Sequence, residues 1–205
     1  MTKIDGSSRF AEGNRYGFFP SVSAGWRISQ EPFFSLPFVN ELKLRGSWGR
    51  MGNQDIGLYR YFGSVEIGHE YLFGDALTTG AARTELANAD ISWETTEMTD
   101  IGLDAEFLDG RLSFVGDIYR KVTDGILLEL PIPGIIGLSA PTQNAGSIEN
   151  TGWEAAINWR DSFRDGNYAL GFNVSDNRNK VLDLADTGPF IDGRWITEVG
   201  LPLGT

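Results

Sequence analysis

A chain of 205 residues and 22.6 kDa is long enough to bury the core of one ordinary domain, and its length gives no reason to divide it. Lys and Arg number 17 against 28 Asp and Glu, a formal charge of −11 and a pI of about 4.5, so non-specific nucleic-acid binding lacks its electrostatic footprint. With Cys 0 and His 1, disulfide scaffolds, thiolate metal sites, Cys nucleophiles and His-cluster metal sites are excluded, and His-based triads are disfavoured.

Glycine at 26 residues, aromatics at 12% and a mean hydropathy of −0.20 favour β structure. So much glycine in helix interiors would cost about 1 kcal/mol per position relative to alanine, and so many large apolar groups argue against disorder. No run approaches the ~18 apolar residues of a transmembrane helix, and the opening MTKIDGSSRF has no apolar stretch of the kind a signal peptide needs. A β-barrel stays open, since its strands cross a bilayer with ~9–11 alternating residues each.

Six segments alternate with period two, each with one apolar and one polar or small face. In Ser21 to Ile28, Val22, Ala24, Trp26 and Ile28 oppose Ser21, Ser23, Gly25 and Arg27. In Leu42 to Gly49, Leu42, Leu44, Gly46 and Trp48 oppose Lys43, Arg45, Ser47 and Gly49. The third sets Ile101, Leu103, Ala105 and Phe107 against Asp100, Gly102, Asp104 and Glu106. Asp109-Gly110 then signals a hairpin, because Asp-Gly tolerates positive φ, and the fourth strand runs from Leu112 to about Arg120. The fifth opposes Trp153, Ala155, Ile157 and Trp159 to Glu154, Ala156, Asn158 and Arg160; a turn at Asp165-Gly166 leads to the sixth, with Tyr168, Leu170, Phe172 and Val174 on the apolar side. Weaker strand candidates are Tyr59 to Ile67, Leu127 to Pro131 and Trp195 to Val199.

Short links (Gln30 to Asn40, Asp109-Gly110, Asp161 to Asn167) alternate with long ones (Arg50 to Ile91, Thr123 to Asn150, Asn177 onward). A soluble sandwich has no reason for that asymmetry, whereas an outer-membrane barrel has short periplasmic turns and long extracellular loops. Lys43, Arg45, Asp104 and Glu106 recur at the centre of the polar face, as an aqueous lumen permits, while Trp93, Trp153, Trp159 and Tyr168 lie near strand ends, as interfacial belts require. The reading is all-β: antiparallel up-and-down strands forming a partial segment of a large transmembrane β-barrel with long extracellular loops. The alternatives are a small closed barrel and, from another functional class, a soluble acidic β-sandwich carbohydrate-binding module.

No residue set calls for catalysis. Asp104 and Glu106 line one wall, whereas acid and nucleophile must flank a bond. Asp186-Thr187-Gly188 spells the aspartic-protease triplet in one copy where the mechanism needs two. His69 beside Glu66 and Glu70 reads as a surface residue, Asn173-Val174-Ser175 as a strand segment and Gly49-Arg50-Met51-Gly52-Asn53 as a loop entry. The loop aromatics Tyr59, Tyr61, Phe62, Tyr71 and Phe73 are the substrate-binding candidates, since sugar rings and peptides dock on aromatic faces. No catalytic residue, cofactor or metal ligand is expected.

DGSSRFAEGNRYGFFPSVSAGW (Asp5 to Trp26) and LKLRGSWGRMGNQDIGLYRY (Leu42 to Tyr61) resemble the C-terminal barrel half of SusC/RagA-type TonB-linked outer-membrane proteins. WETTEMTDIGLDAEFLDGRLSFVGDIYRKVTDGIL (Trp93 to Leu127) is similar to that family's hairpin, NAGSIENTGWEAAINW (Asn144 to Trp159) to its next strand, and VGLPLGT (Val199 to Thr205) to the start of a Gly-x-Pro-x-Gly stretch. The resemblance implies a barrel of many strands filled by an N-terminal plug, lidded by a surface-exposed SusD-like lipoprotein and energised by the TonB complex through the plug, importing oligosaccharides or peptides across the bacterial outer membrane. On that resemblance, residues 1–205 are expected to be a partial barrel without plug or remaining strands, embedded in outer-membrane lipid and inactive alone.

Overall fold

A computed structural model describes residues 1–204 apart from Pro131 and Asp165, and for Asp192 the backbone alone. The end of the weak segment Leu127 to Pro131, the first residue of the Asp165-Gly166 turn and Thr205 of the last motif therefore lie outside the described residues.

The strands are β1 (Thr2–Gly6), β2 (Tyr16–Arg27), β3 (Val39–Asn53), β4 (Glu66–Phe73), β5 (Ala76–Ala82), β6 (Glu94–Phe107), β7 (Leu112–Asp124), β8 (Leu127–Glu129), β9 (Thr142–Asn144), β10 (Ser147–Phe163), β11 (Gly166–Asp183), β12 (Phe190–Asp192) and β13 (Trp195–Thr197). Seven form one antiparallel sheet in the order β1-β2-β3-β6-β7-β10-β11, a meander in chain order. The remaining six pair off as the hairpins β4-β5, β8-β9 and β12-β13, one in each long link.

All six alternating segments fall on strands of the sheet, Ile28 excepted, which opens a 3-10 turn after β2, and each strand is longer than its alternation. β10 has 17 residues and β11 18, well past the ~9–11 that cross a bilayer. Pairing needs only backbone groups, so the ladder continues where the apolar face ends. Arg50 to Asn53, Thr123 and Asn177 to Asp183 thus belong to strands, not links. Of the weaker candidates, Leu127 to Pro131 and Trp195 to Val199 contain β8 and β13, while Tyr59 to Val65 is turn and irregular loop and only Glu66 and Ile67 pair.

Register aligns the apolar faces into rows. Trp26, Leu44, Leu103, Gly116, Ala155 and Val174 stand opposite one another across β2 to β11. Beside them run Leu42, Ala105, Phe114, Ile157 and Phe172, then Phe107, Leu112, Trp159 and Leu170. One-residue slips would turn a whole strand over, so this agreement fixes the register. Among the described residues no layer covers this face: Ile118, Leu170 and Phe172 keep 68%, 67% and 66% of their surface. The β-sandwich alternative fails here, because among the described residues no second sheet packs on the first. A closed small barrel fails too, because β1 and β11 are opposite edges of an open sheet and do not pair.

Apart from Ala105, the buried apolar residues lie off this face. Phe10 and Ile91 are fully buried and Ile56 nearly so, with Tyr61, Trp93 and Leu127 packed on them. This cluster sits at the end of the sheet where links 7–15, 54–93 and 125–146 emerge. The Phe10 and Trp93 rings lie 5.2 Å apart, and those of Phe19 and Trp93 5.3 Å. Trp93 is therefore a loop-core residue, correcting its assignment to an interfacial belt. Trp159 and Tyr168 fit that assignment, on the apolar face near the short turn, with Trp159 Nε1 donating to Tyr168 Oη at 3.4 Å.

Candidate functional site

The polar face gathers charge at its centre. Arg45 on β3 stands opposite Gly102 on β6, and Gly102 stands opposite Asp117 on β7. With no side chain between them, the guanidinium reaches across a whole strand: Nη2 meets Asp117 Oδ1 at 2.7 Å and Oδ2 at 2.8 Å. Its Nε donates to Asp104 Oδ1 at 3.1 Å, and Nη1 lies 3.5 Å from Asp100 Oδ1. Lys43 Nζ adds 3.5 Å to Asp104 Oδ2. Two cations against three carboxylates leave this wall one charge negative. Periodicity does not single out Asp100 and Asp117 for this role; the signal for them is Gly102, the one gap among Asp100, Asp104 and Glu106 along the polar face of β6.

An added Cβ at Gly102 would collide with the Arg45 guanidinium and Asp117 Oδ1. Gly102→Ala is expected to displace Arg45 and lower stability by about 1 kcal/mol, read as a fall in the denaturant midpoint of the membrane-inserted protein. Asp104 and Glu106 do not act together: Asp104 is held by Arg45 and Lys43, while Glu106 lies 4.0 Å from Arg160 Nη2. Carboxylates fixed among cations suit a charged wall.

The long links at the far end are ordered by side chains that satisfy loop backbone, as buried loop segments require. Asn144 Nδ2 donates to Ser92 O and Gly125 O, both at 2.9 Å, while its Oδ1 accepts from Ser92 N at 2.7 Å, tying link 125–146 to link 54–93. Asn14 Nδ2 reaches Ile91 O at 3.2 Å, and Arg9 donates to Ile56 O. In link 54–93 a cleft of about 390 Å³ is lined by Leu58, Tyr59, Arg60, Phe62 and Glu85, with Arg60 and Glu85 ion-paired.

The structure splits the aromatic candidates. Tyr59 and Tyr61 have centroids 6.4 Å apart at the cleft, where Tyr59 and Phe62 are exposed but Tyr61 packs on the loop core. Tyr71 and Phe73 share one face of β4, edge to face at 6.3 Å, both exposed. Among the described residues no ring contact joins the two groups. Local pattern misses the β4-β5 hairpin that carries the second pair; its signal is the two-residue turn Gly74-Asp75, with Gly74 at φ 64°. His69 on that hairpin lies 3.5 Å from Glu66, and Asp186 sits in the link after β11 at φ 56°.

Comparison with known families decides what this sheet is part of. The family described as TonB dependent receptor-like, beta-barrel matches residues 2–199. The chain belongs to the TonB-dependent receptor β-barrel family. It is 40% identical over 202 residues to TonB-dependent receptor P39 of Formosa agariphila, covering 98% of this chain and 19% of that protein. To TonB-dependent receptor SusC of Bacteroides thetaiotaomicron it is 37% identical over 187 residues, covering 88% of this chain and 18% of SusC. The chain thus spans about a fifth of the length of these relatives. Among solved structures it is similar to the RagAB peptide importer in its closed-closed state, with a TM-score of 0.88 at 29% identity over 98% of this chain and 22% of that one. The open-open state gives a TM-score of 0.87 at the same identity and coverage. In a TonB-dependent receptor barrel the uncovered apolar face meets lipid and the Arg45 face lines the interior.

Proposed function

We propose that residues 1–205 are one sector of a larger outer-membrane barrel, the importer of an oligosaccharide or peptide, whose plug and remaining strands lie outside this sequence. The observation that carries the reading is the pairing of a continuous, uncovered apolar face with an opposite face lined by Arg45, Asp104 and Asp117. An open sheet would leave unpaired edges in hydrocarbon at several kcal/mol per unsatisfied group, so the sector works only inside a closed barrel and does not transport alone. The resemblance to SusC and RagAB supports a SusD-like surface lipoprotein as lid and the TonB complex as energy source, acting through the plug.

Tyr59, Phe62, Tyr71 and Phe73 would meet substrate at the loop end, while Tyr61 holds the loop that presents Tyr59. Exposed aromatic rings on ordered loops offer stacking surface at little entropic cost. Replacing Tyr71 and Phe73 together with Ala is expected to weaken substrate binding by about 1 kcal/mol per ring, with the fold intact. Calorimetric titration of the purified importer with oligosaccharide and peptide pools measures it; undiminished affinity would remove these residues from the site.

The wider reading is tested in the source cell. The polypeptide should fractionate with the outer membrane and migrate heat-modifiably, and its deletion should abolish growth on one oligosaccharide or peptide source. Recovery in the soluble fraction, or growth unchanged on both classes, would overturn it.

A further inference from the structure

The apolar face gives way to charge at the loop end along a step: Val22 and Trp48 carry it one row further on β2 and β3 than Ile118 and Trp153 do on β7 and β10, and Asp176 ends it one row sooner on β11. Above the row carrying Ile101, Ile118 and Trp153, the next row reads Val22, Trp48, Thr99, Arg120, Thr151 and Arg178, and the one after it Arg50, Glu97, Val122, Glu149 and Lys180. A cleft of about 690 Å³ straddles this border, with Ile101, Ile118 and Trp153 below, Asp176 at the end of their row, and Arg120, Thr151 and Arg178 above. It opens on the lipid side, not the interior.

Arg120 and Arg178 flank Thr151 across two strand spacings, about 10 Å between their backbones. Glu149 Oε2 accepts from Arg120 Nε at 2.6 Å and lies 2.5 Å from its Nη2, and Asp176 Oδ2 accepts from Arg178 Nε at 3.0 Å, which orients both guanidinium groups and leaves Arg120 Nη1 and the Arg178 Nη groups outside these pairs. Both arginines are exposed, and Lys180 follows on the same face of β11 without an acidic partner among the described residues. Over these rows four cations (Arg50, Arg120, Arg178 and Lys180) face three carboxylates (Glu97, Glu149 and Asp176), a local excess of one cation on a chain whose total is −11.

We infer that this cleft binds the phosphate-bearing headgroup of a membrane lipid of net negative charge, with Arg120, Arg178 and the Thr151 hydroxyl on the phosphate and the acyl chain laid over Ile101, Ile118 and Trp153. The occupant must be amphiphilic because the cleft is: a free anion would leave its apolar half wet, and a lipid of zero net charge would leave the excess cation unmatched. A peptide would have to dock within the bilayer border, where its backbone has no strand edge to pair with. The inference rests on the outer-membrane reading above.

The test uses the detergent-purified protein, with native mass spectrometry of retained lipid after titration with phosphatidylglycerol or phosphatidylcholine. Wild type should retain phosphatidylglycerol in preference, and Arg120→Gln with Arg178→Gln should lower that retention about thirtyfold, at roughly one surface-charge contribution per arginine. The doubly conservative Arg120→Lys, Arg178→Lys pair should keep most of it, and Arg50→Gln, beyond the cleft, all of it. Equal retention of both lipids, unchanged retention in the glutamine pair, or displacement of bound lipid by inorganic phosphate would overturn the inference. Heat-modifiable migration of each variant separates the failures: a protein that never enters the membrane defeats the barrel reading, whereas one that enters and does not discriminate defeats the lipid site alone.

Discussion

Leu103→Arg is expected to destabilise the membrane-inserted protein by about 2–4 kcal/mol, because Leu103 lies in the middle row of the apolar face, between Leu44 and Gly116, at the depth where a lipid-facing cation costs most. Gly116 offers no side chain to shelter the guanidinium, and the nearest polar border, the row of Arg120 and Thr151, lies two rows away. The control is an arginine on the opposite face. Sequence alone suggests its neighbour Asp104, but Asp104 is held by Arg45 and Lys43, and a third cation there would be a second injury. Asn173 on β11 is the proper control: it is exposed on the polar face opposite Ala156. Guanidinium midpoints should fall sharply for Leu103→Arg and stay near wild type for Asn173→Arg. Equal falls would mean that both faces see the same solvent, and the assignment of inside and outside would be lost.

The contrast between Leu103 and Asn173 is legible in the amino-acid sequence, and the reason is physical. Alternation in β2, β3, β6, β7, β10 and β11 names the faces correctly, since lipid on one side and water on the other impose opposite chemistry every second residue. Strand ends escape the same reasoning. Past Trp48 and Ile118 both faces turn polar while pairing continues, so Arg50 to Asn53 has the composition of a loop. Link 54–93 is legible only as long and aromatic. Its fold depends on contacts distant in sequence, such as Asn144 with Ser92 and Phe10 with Trp93, which no local pattern announces. The turn at Leu108 to Arg111 is a smaller instance: Asp109-Gly110 signals it, yet Leu108 also adopts positive φ, at 56°, and Asn40 Oδ1 accepts from Asp109 N at 2.8 Å to hold it.

Arg45→Gln is the second large effect, expected to cost about 2–3 kcal/mol, less than the full penalty for orphaning a buried charge because interior water reaches a side chain that keeps 30% of its surface. The loss should exceed that of any single ion pair, since one guanidinium faces Asp100, Asp104 and Asp117 on two neighbouring strands. Removing it leaves three carboxylates with only Lys43 among them. The charge account predicts a rescue that a packing account does not: Arg45→Gln combined with Asp117→Asn should be more stable than Arg45→Gln alone, because the second change removes a repelling charge and lets two amides bridge the space over Gly102. A double-mutant cycle on the denaturant midpoint reads the coupling between the two positions. Strict additivity would show that Arg45 spans Gly102 by proximity alone, and that the polar wall draws its stability from backbone pairing, not from this crossing of β6.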